Sequence, residues 1–435
     1  MRPSETSDVP PETRQAGARR GTGPGARLGL VLLTVGIMVL AVNLRAAISS
    51  LPPVFPDLSA ALHLSSASVA VLAAVPVLCF GLFSGLAAPL SRSFGEERVL
   101  LAALLLLAGG LLLRGAWPAF MLFPGTVLAG GSIALMNVLL PSLVKRRRPQ
   151  QAGLLIGSYL LMLSLGAVVA SLIAVPVLRA AGGTGHGGAG WPIQLTLGLW
   201  ALPALLAAVV WLPQIRYRTE PTASSPAPAA PPAPAALGAR AARASMHRHA
   251  LAWQVAGFMG LQSMVYYATL SWLPTLFQDR GVSATSAGGL LALMNLGNAI
   301  TAMLMPVLAQ RARDQRLLVM ATAAAMAAGL CGSAFAPTGG AVAWTLLLGL
   351  GQGSSLALAI FFTMARAPDP VTAASLSGFA QSAGYLIATI GPLAVGFLHT
   401  ASGGWTLPVL VLLGITAALL WAGWLAGRDR TVPAR

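Results

Sequence analysis

The sequence predicts an all-α membrane protein of twelve transmembrane helices in two six-helix bundles. Of its 435 residues, 56% are hydrophobic and 9% are charged, whereas soluble proteins carry roughly a quarter charged residues. The apolar residues fall in runs of about twenty, the length that crosses a bilayer as a helix. One long polar stretch lies in the middle of the chain and separates six such runs from six more.

The runs predict helices in this order: 28–50, 66–90, 98–116, 119–143, 152–178, 192–213, 251–276, 285–309, 317–336, 342–364, 372–398 and 405–426. The central stretch 214–250 contains the Pro- and Ala-rich tract 221–234, which cannot pack a core and predicts a flexible linker. The expected organisation is therefore a disordered tail, a first bundle, a linker, a second bundle and a short tail: 1–27, 28–213, 214–250, 251–426 and 427–435.

The basic residues predict the orientation. With the N-terminus in the cytoplasm, 23 of the 27 Lys and Arg fall on the cytoplasmic side, three on the other side, and Arg45 inside the first helix. The positive-inside rule then places both termini in the cytoplasm. The composition is typical of a GC-rich bacterial genome, and we expect the chain in the plasma (inner) membrane. The net charge of +16 lies in short bursts between helices, so we expect a lipid bilayer as partner and no nucleic acid.

The two halves look like weak copies of each other. The segment Pro89-Leu90-Ser91-Arg92 resembles 306–311, the segment 131–135 resembles 353–357, and 152–154 resembles 374–376, all at offsets of about 217–222 residues. Six helices, a long loop and six helices resemble the layout of the major facilitator superfamily. In that fold the halves are related by an axis along the membrane normal, and the substrate site lies between them near the midplane.

Arg45 is the clearest candidate for a functional group. Ionisable side chains inside a bilayer are costly, so each is a functional candidate by default. One interpretation is a fixed cation that faces the central cavity and holds an anionic or strongly polar substrate. The other is an arginine that extends its guanidinium to the headgroups. The neighbouring Asn43 favours the first interpretation.

Carboxylates are missing from the middle of every predicted helix, since all eleven Asp and Glu fall in tails, loops or helix ends. Proton-driven export of cationic drugs usually needs a buried carboxylate, so an anionic or neutral substrate is favoured. Among the histidines, His399 remains as a possible proton site. No spacing indicates a metal site, a cofactor or a catalytic group, so we expect none of these and no enzymatic activity.

Several amide and phenol side chains lie within the apolar runs. Such groups need partners in hydrocarbon and therefore face the bundle interior. Each could simply join helices, but as a set they predict the lining of a substrate cavity together with Arg45. The set comprises Asn43, Asn137, Gln262, Tyr266, Asn295, Gln352, Gln381 and Tyr385.

Further motifs resemble one particular family within this superfamily. These are Asn43-Leu44-Arg45-Ala46, Gly260-Leu261-Gln262-Ser263 with Tyr266-Tyr267, Ser271-Trp272-Leu273-Pro274 and Gln381-Ser382-Ala383-Gly384-Tyr385, with 76–82 and 94–98. Over nearly the whole chain they resemble the cyanate/2-nitroimidazole permease family of the major facilitator superfamily.

The loop after the second predicted helix departs from the general superfamily signature. Ser91 stands before Arg92 where an Asp is expected. The resemblance therefore implies a gating group built from other residues: Arg92, Glu96, Glu97 and Arg98, with a glutamate pairing to Arg98.

The expected function is secondary transport of a small anion, weak acid or related polar solute by alternating access, with the chain acting as a monomer. The resemblance leaves a second possibility open, the export of neutral or heteroaromatic toxic compounds. A membrane sensor or scaffold would need a folded partner-binding domain, and 214–250 is too rich in Pro and Ala to supply one.

Overall fold

The computed structural model describes residues 24–116, 119–182, 191–216, 246–428 and 430–432, and these ranges are almost entirely helical. Residues 1–23 of the predicted tail and most of the predicted linker lie outside the described residues, and the first helix begins at Pro24, within the predicted tail. The helices of the first half are α1 (Pro24–Ser49), α2 (Phe55–Leu62), α3 (Ser66–Phe83), α4 (Ala87–Phe94), α5 (Glu96–Arg114), α6 (Leu122–Arg147), α7 (Ala152–Ala180), α8 (Trp191–Gly198) and α9 (Ala201–Trp211). Those of the second half are α10 (Ala250–Asp279), α11 (Ala284–Arg311), α12 (Arg316–Phe335), α13 (Ala341–Ala365), α14 (Pro370–Ala388), α15 (Ile390–Ser402) and α16 (Thr406–Ala426).

These helices make twelve crossings. Within the described ranges, ten helical stretches are long and apolar enough to span a membrane. Two more long helices complete the set: α5, which carries charged residues at both ends, and α10, which has 30 residues. Some crossings consist of two helices in succession. The first, for example, is interrupted by a 3-10 turn at Pro52–Val54, where proline cannot supply a backbone donor to continue the α-helix.

The same capping motif begins the second crossing of each half. At the start of α3, the Ser65 hydroxyl accepts a hydrogen bond from the Ser68 backbone N–H at 3.2 Å. At the start of α11, Ser283 accepts the same bond from Ser286 at 3.2 Å. A serine in this position satisfies one of the free N–H groups of the first helical turn. The halves are therefore equivalent in local structure as well as in helix order.

A second matching feature lies at the other end of each bundle, away from the Ser65 and Ser283 caps. Arg147, at the end of α6, donates to the Glu97 carboxylate at 2.6 Å. Arg366, just after α13, donates to the Gln315 side-chain oxygen before α12. Each arginine also reaches the last crossing of its own half, at Gln214 and Ala426 respectively. These bonds join three crossings within each bundle, so each half is tied together internally.

Two faces of the bundle can be defined from these ends. The arginine-rich face carries Arg92, Arg98, residues 146–148, Arg311 and Arg366. The opposite face carries Pro52–Val54, Ser65, residues 280–283 and Gly403. Every crossing joins one face to the other.

Several contacts between the halves lie at the opposite face. The Gln278 amide on α10 donates to the Pro53 carbonyl at 3.3 Å. Two glycines allow close approach there. A Cβ on Gly288 would lie 2.6 Å from the Ser171 carbonyl oxygen of α7, and one on Gly396 would lie 2.6 Å from the Ala70 Cβ of α3. Small residues permit this backbone approach between membrane helices. The structure is therefore closed at the opposite face.

Candidate functional site

Arg45 lies on α1 at the interface between the halves. Its Nη1 donates a hydrogen bond to the Tyr266 hydroxyl of α10. Its guanidinium carbon also lies 4.7 Å from the centre of the Tyr266 ring and 5.9 Å from that of Tyr267. These distances fall within the range of cation–π attraction. The residue is partly buried, and its guanidinium contacts tyrosines of the other half.

Tyrosines from three helices surround this cation. The chain has five tyrosines, and four of them interact electrostatically with Arg45: Tyr159 of α7, Tyr266 and Tyr267 of α10, and Tyr385 of α14. Phe80 of α3 closes the group, with its ring centre 6.1 Å from that of Tyr267 and 5.6 Å from that of Tyr385. We call Arg45, these four tyrosines and Phe80 the Arg45 cluster. It draws on both halves of the chain.

Two amides hold the phenols of the cluster in place. Tyr266 donates its hydroxyl proton to Asn295 Oδ1 at 3.0 Å, and the Asn295 amide donates to the Leu291 carbonyl of its own helix at 3.0 Å. Tyr159 donates to Asn137 Oδ1 at 3.0 Å. Because the Tyr266 hydroxyl donates its proton to Asn295, its oxygen is left to accept from Arg45. The cluster is thus a fixed array with one cation.

No carboxylate among the described residues compensates this cation. Arg45 makes no ion pair within the described ranges, whose acidic residues all lie at or near helix ends: Asp57, Glu96, Glu97, Asp279, Asp314 and Asp369. A guanidinium that neither faces water freely nor pairs with an acid is costly in a membrane. The arrangement is suited to binding an anion that completes the pair.

The remaining predicted polar residues have other neighbours. Asn43 donates to the Val39 and Pro203 carbonyls at 2.8 and 3.2 Å, so its amide joins α1 to α9. Two residues along a helix correspond to a rotation of about 200°, which turns Asn43 away when Arg45 faces the cavity.

Gln262 and Gln352 are buried and bonded to side chains of α10. Gln262 donates to Ser263 at 2.6 Å, and Gln352 donates to Thr269 at 2.7 Å. The Gln352 Oε1 atom has no hydrogen-bond partner. The structure therefore gives neither amide a hydrogen bond to a residue of the Arg45 cluster.

Gln381 lies on the same helix as Tyr385 of the cluster. It lies one helical turn from Tyr385 toward the arginine-rich face, so the two side chains share one side of α14. Gln381 is exposed and donates to Ser377 at 3.0 Å. An exposed polar side chain therefore lies one turn from Tyr385 on the side of the arginine-rich face.

The two glutamates that were expected to pair with Arg98 have other partners in this structure. Glu97 pairs with Arg147, and Glu96 lies 3.6 Å from Arg146 and accepts from Ser142 at 3.0 Å. Arg98 follows Glu97 by a rotation of about 100° and is exposed, as is Arg92. Both glutamates thus pair with arginines of their own bundle.

Three members of the cluster were not among the predicted site residues: Tyr159, Tyr267 and Phe80. One signal was available, since tyrosine is scarce in this chain and Tyr159 stands in an otherwise apolar run. A buried tyrosine usually has a partner for its hydroxyl. Phe80 gives no such signal, because a phenylalanine in an apolar run is most simply a packing residue.

Comparison with known proteins identifies the family. The Major Facilitator Superfamily profile matches residues 32–388. The chain is 36% identical over 401 residues to the uncharacterised transporter YycB of Bacillus subtilis (strain 168), covering 92% of this chain and 94% of that one. It is 37% identical over 402 residues to the 2-nitroimidazole transporter of Escherichia coli (strain K12), covering 92% and 97%. It is 30% identical over 400 residues to the cyanate transport protein CynX of the same organism, covering 89% and 94%.

Solved structures share the fold. A bacterial homologue of the human lysosomal transporter Spinster, in an inward-facing conformation, superposes with a TM-score of 0.71 at 16% identity, covering 95% of this chain and all of that one. A D-xylose–proton symporter gives 0.69 at 15% identity, covering 93% and all of that chain. The twelve crossings, the repeated halves and these relatives identify a multi-pass membrane transporter rather than an enzyme. The chain belongs to the major facilitator superfamily and, within it, to the cyanate/2-nitroimidazole permease family.

Proposed function

We propose that this transporter carries a small anion or the anion of a weak acid, and that Arg45 holds its charge. The observation that supports this is the guanidinium at the interface of the halves, which interacts with four neutral tyrosines and with no carboxylate of the described residues. Arginine offers five N–H donors in a planar fork that matches carboxylate-like groups. Asn137 and Asn295 act indirectly by orienting the phenols.

The rings of the cluster favour a small planar or linear solute with a delocalised charge. Phe80, Tyr267 and Tyr385 pack edge to face at 5.6–6.4 Å and present apolar walls beside the cation. Two relatives are named for 2-nitroimidazole and for cyanate. Both solutes are small π-systems, which fits a pocket built from aromatic rings and one guanidinium.

We propose that the transporter works by alternating access as a monomer in the inner membrane, with the arginine-rich face in the cytoplasm. The positive-inside rule supports this orientation. One chain supplies the whole Arg45 cluster, which supports the monomer as the transporting unit. The contacts at the opposite face and the exposed Gln381 support an inward-facing state, and reorientation would bring the arginine-rich ends of the two halves together.

A second candidate function is the export of neutral heteroaromatic compounds. Its support is the aromatic wall of Phe80, Tyr267 and Tyr385 and the relative named for 2-nitroimidazole. In this case Arg45 would position Tyr266 and would not bind the solute's charge. The two candidates therefore differ in whether binding needs the charge of Arg45.

A thermal-shift experiment separates them. The purified protein in detergent is melted with cyanate, benzoate or 2-nitroimidazole, as wild type, as Arg45→Gln and as the control Arg311→Gln, which removes an exposed arginine of the arginine-rich face. A ligand at a hundred times its Kd stabilises the native state by about 2.7 kcal/mol.

The anion proposal predicts that cyanate or benzoate raises the melting temperature of the wild type and of Arg311→Gln, and leaves Arg45→Gln unchanged. Equal stabilisation of all three proteins by 2-nitroimidazole, with no effect of either anion, would reject the anion proposal and favour the export of neutral solutes.

A further inference from the structure

We propose that this carrier is an anion exchanger, in which the empty protein reorients far more slowly than the loaded protein. This inference rests on the proposed function, since it takes the Arg45 cluster as the anion site. It adds the mode of transport: an anion enters on one side only as another leaves on the other.

The first step of the argument is the charge of the empty site. Arg45 has no acidic partner among the described residues, and the groups around it are phenols. Phenols and ring faces stabilise a cation by partial charges only. The empty site therefore carries a full positive charge, and a bound monovalent anion makes it neutral.

The second step is the hydrogen bonding of the guanidinium. Of its five N–H donors, the structure gives a partner to one, the Tyr266 hydroxyl. The side chain is partly buried, and no other acceptor among the described residues takes these donors. An anion at the site would supply both the missing charge and acceptors for these donors.

The third step is what reorientation requires. To open the other way, the halves must separate at the contacts of Gly288 with Ser171 and of Gly396 with Ala70 while they close at the arginine-rich face. Between these states the site is shut on both sides. An unpaired guanidinium then loses its water without gaining a partner, which raises the barrier for the empty carrier. The loaded carrier has an ion pair at that moment and avoids this cost.

Other buried arginines do not create the same problem. Arg114 donates to the Ala47 carbonyl at 3.0 Å, and Arg366 donates to the Ala426 carbonyl at 2.8 Å. Each is buried within one half, so its surroundings move with it. Arg45 differs because its partners belong to both halves and are rearranged in each cycle.

Exchange can be measured in proteoliposomes made with the full-length protein. Uptake of radiolabelled cyanate, and separately of radiolabelled benzoate, is followed at neutral pH with gluconate as the only other anion. The vesicles contain either the same unlabelled anion or gluconate alone. In a second arm, a potassium gradient with valinomycin imposes an inside-positive potential. Wild type is compared with Arg311→Gln as the control and with Arg45→Gln.

We expect internal unlabelled anion to raise the initial uptake by wild type and by Arg311→Gln at least about tenfold, which corresponds to a barrier difference of about 1.4 kcal/mol. We also expect the potential to leave this exchange unchanged, because one monovalent anion replaces another. Arg45→Gln should lose the stimulation along with most of its uptake.

Two contrary results have different meanings. Uptake that is equal with and without internal anion, and that rises with an inside-positive potential, would show uniport and overturn exchange while leaving the anion proposal intact. Uptake of neither anion under any condition would overturn the proposed function and this inference together.

Discussion

Anion binding should depend on a hydrogen-bonded chain that runs from Arg45 through Tyr266 to Asn295. Tyr266→Phe removes the hydroxyl and keeps the ring, so the cation–π contact at 4.7 Å is retained. Asn295→Leu removes the oxygen that accepts from Tyr266 at 3.0 Å. Either change breaks the chain, and the guanidinium is then no longer held toward the cavity in one position.

The magnitude follows from the bonds that are lost. A hydrogen bond to a charged group contributes about 1.5–3 kcal/mol, and one between neutral groups contributes about 0.5–1.5 kcal/mol. Part of this loss is recovered as Arg45 finds other contacts. We therefore expect each single variant to weaken anion binding about tenfold, or about 1.4 kcal/mol.

The double variant tests whether the two residues act as one unit. Once Tyr266→Phe has broken the chain, Asn295→Leu has little left to remove, so the double variant should also bind about tenfold more weakly than wild type. Independent effects would add to about a hundredfold. The expected coupling energy of about 1.4 kcal/mol lies within the range for residues in one network.

The assay is equilibrium binding of radiolabelled cyanate or benzoate to the purified protein in detergent. The control is Asn298→Leu, the same substitution one turn further along α11 at a buried asparagine that makes no hydrogen bond to Tyr266; its affinity should stay within about threefold of wild type. Additive losses in the double variant, or full affinity in Tyr266→Phe, would refute the idea that the chain positions Arg45.

Three further predictions concern the faces and the charge of the site. Gly288→Ala places a methyl group 2.6 Å from the Ser171 carbonyl, so it should open the opposite face, and spin-label distances across that face should lengthen. Arg366→Met removes donors to Gln315 and two backbone carbonyls. It should lower the free energy of unfolding in SDS titrations by about 3 kcal/mol. An unchanged free energy of unfolding would show that these bonds of Arg366 do not stabilise the second bundle. Because arginine and tyrosines line the cluster, cyanate binding should not vary between about pH 5 and pH 8, and a sigmoidal change in melting shift would reveal a titrating group.

Hydropathy and charge in the sequence determined the crossings. In the described ranges a helix stands within a few residues of each predicted run, because a chain in lipid must satisfy its backbone within helices. The break at Pro52 and the two-part second, sixth and eleventh crossings are details of the same helices. The repeat was also visible in sequence, and the matching Ser65 and Ser283 caps lie at the same offset as the motifs.

Arg45 could be singled out for the same reason. An ionisable residue in an apolar run is rare because it is costly, so a single sequence is enough to mark it. Its lack of an acidic partner could be anticipated too, since the predicted crossings hold no central Asp or Glu. The charge of Arg45 and the lack of a nearby carboxylate could therefore be anticipated from the sequence.

The membership of the cluster was decided by tertiary structure. Asn43 is two residues from Arg45 yet binds the Pro203 carbonyl on another side of α1, whereas Tyr159 is 114 positions away and lies in the cluster. Each residue along a helix turns the side chain by about 100°, and the rotation of every helix about its axis is set by packing against its neighbours. Sequence determines which groups must avoid lipid, but only the packing of α1, α7, α10 and α14 determines which of them meet.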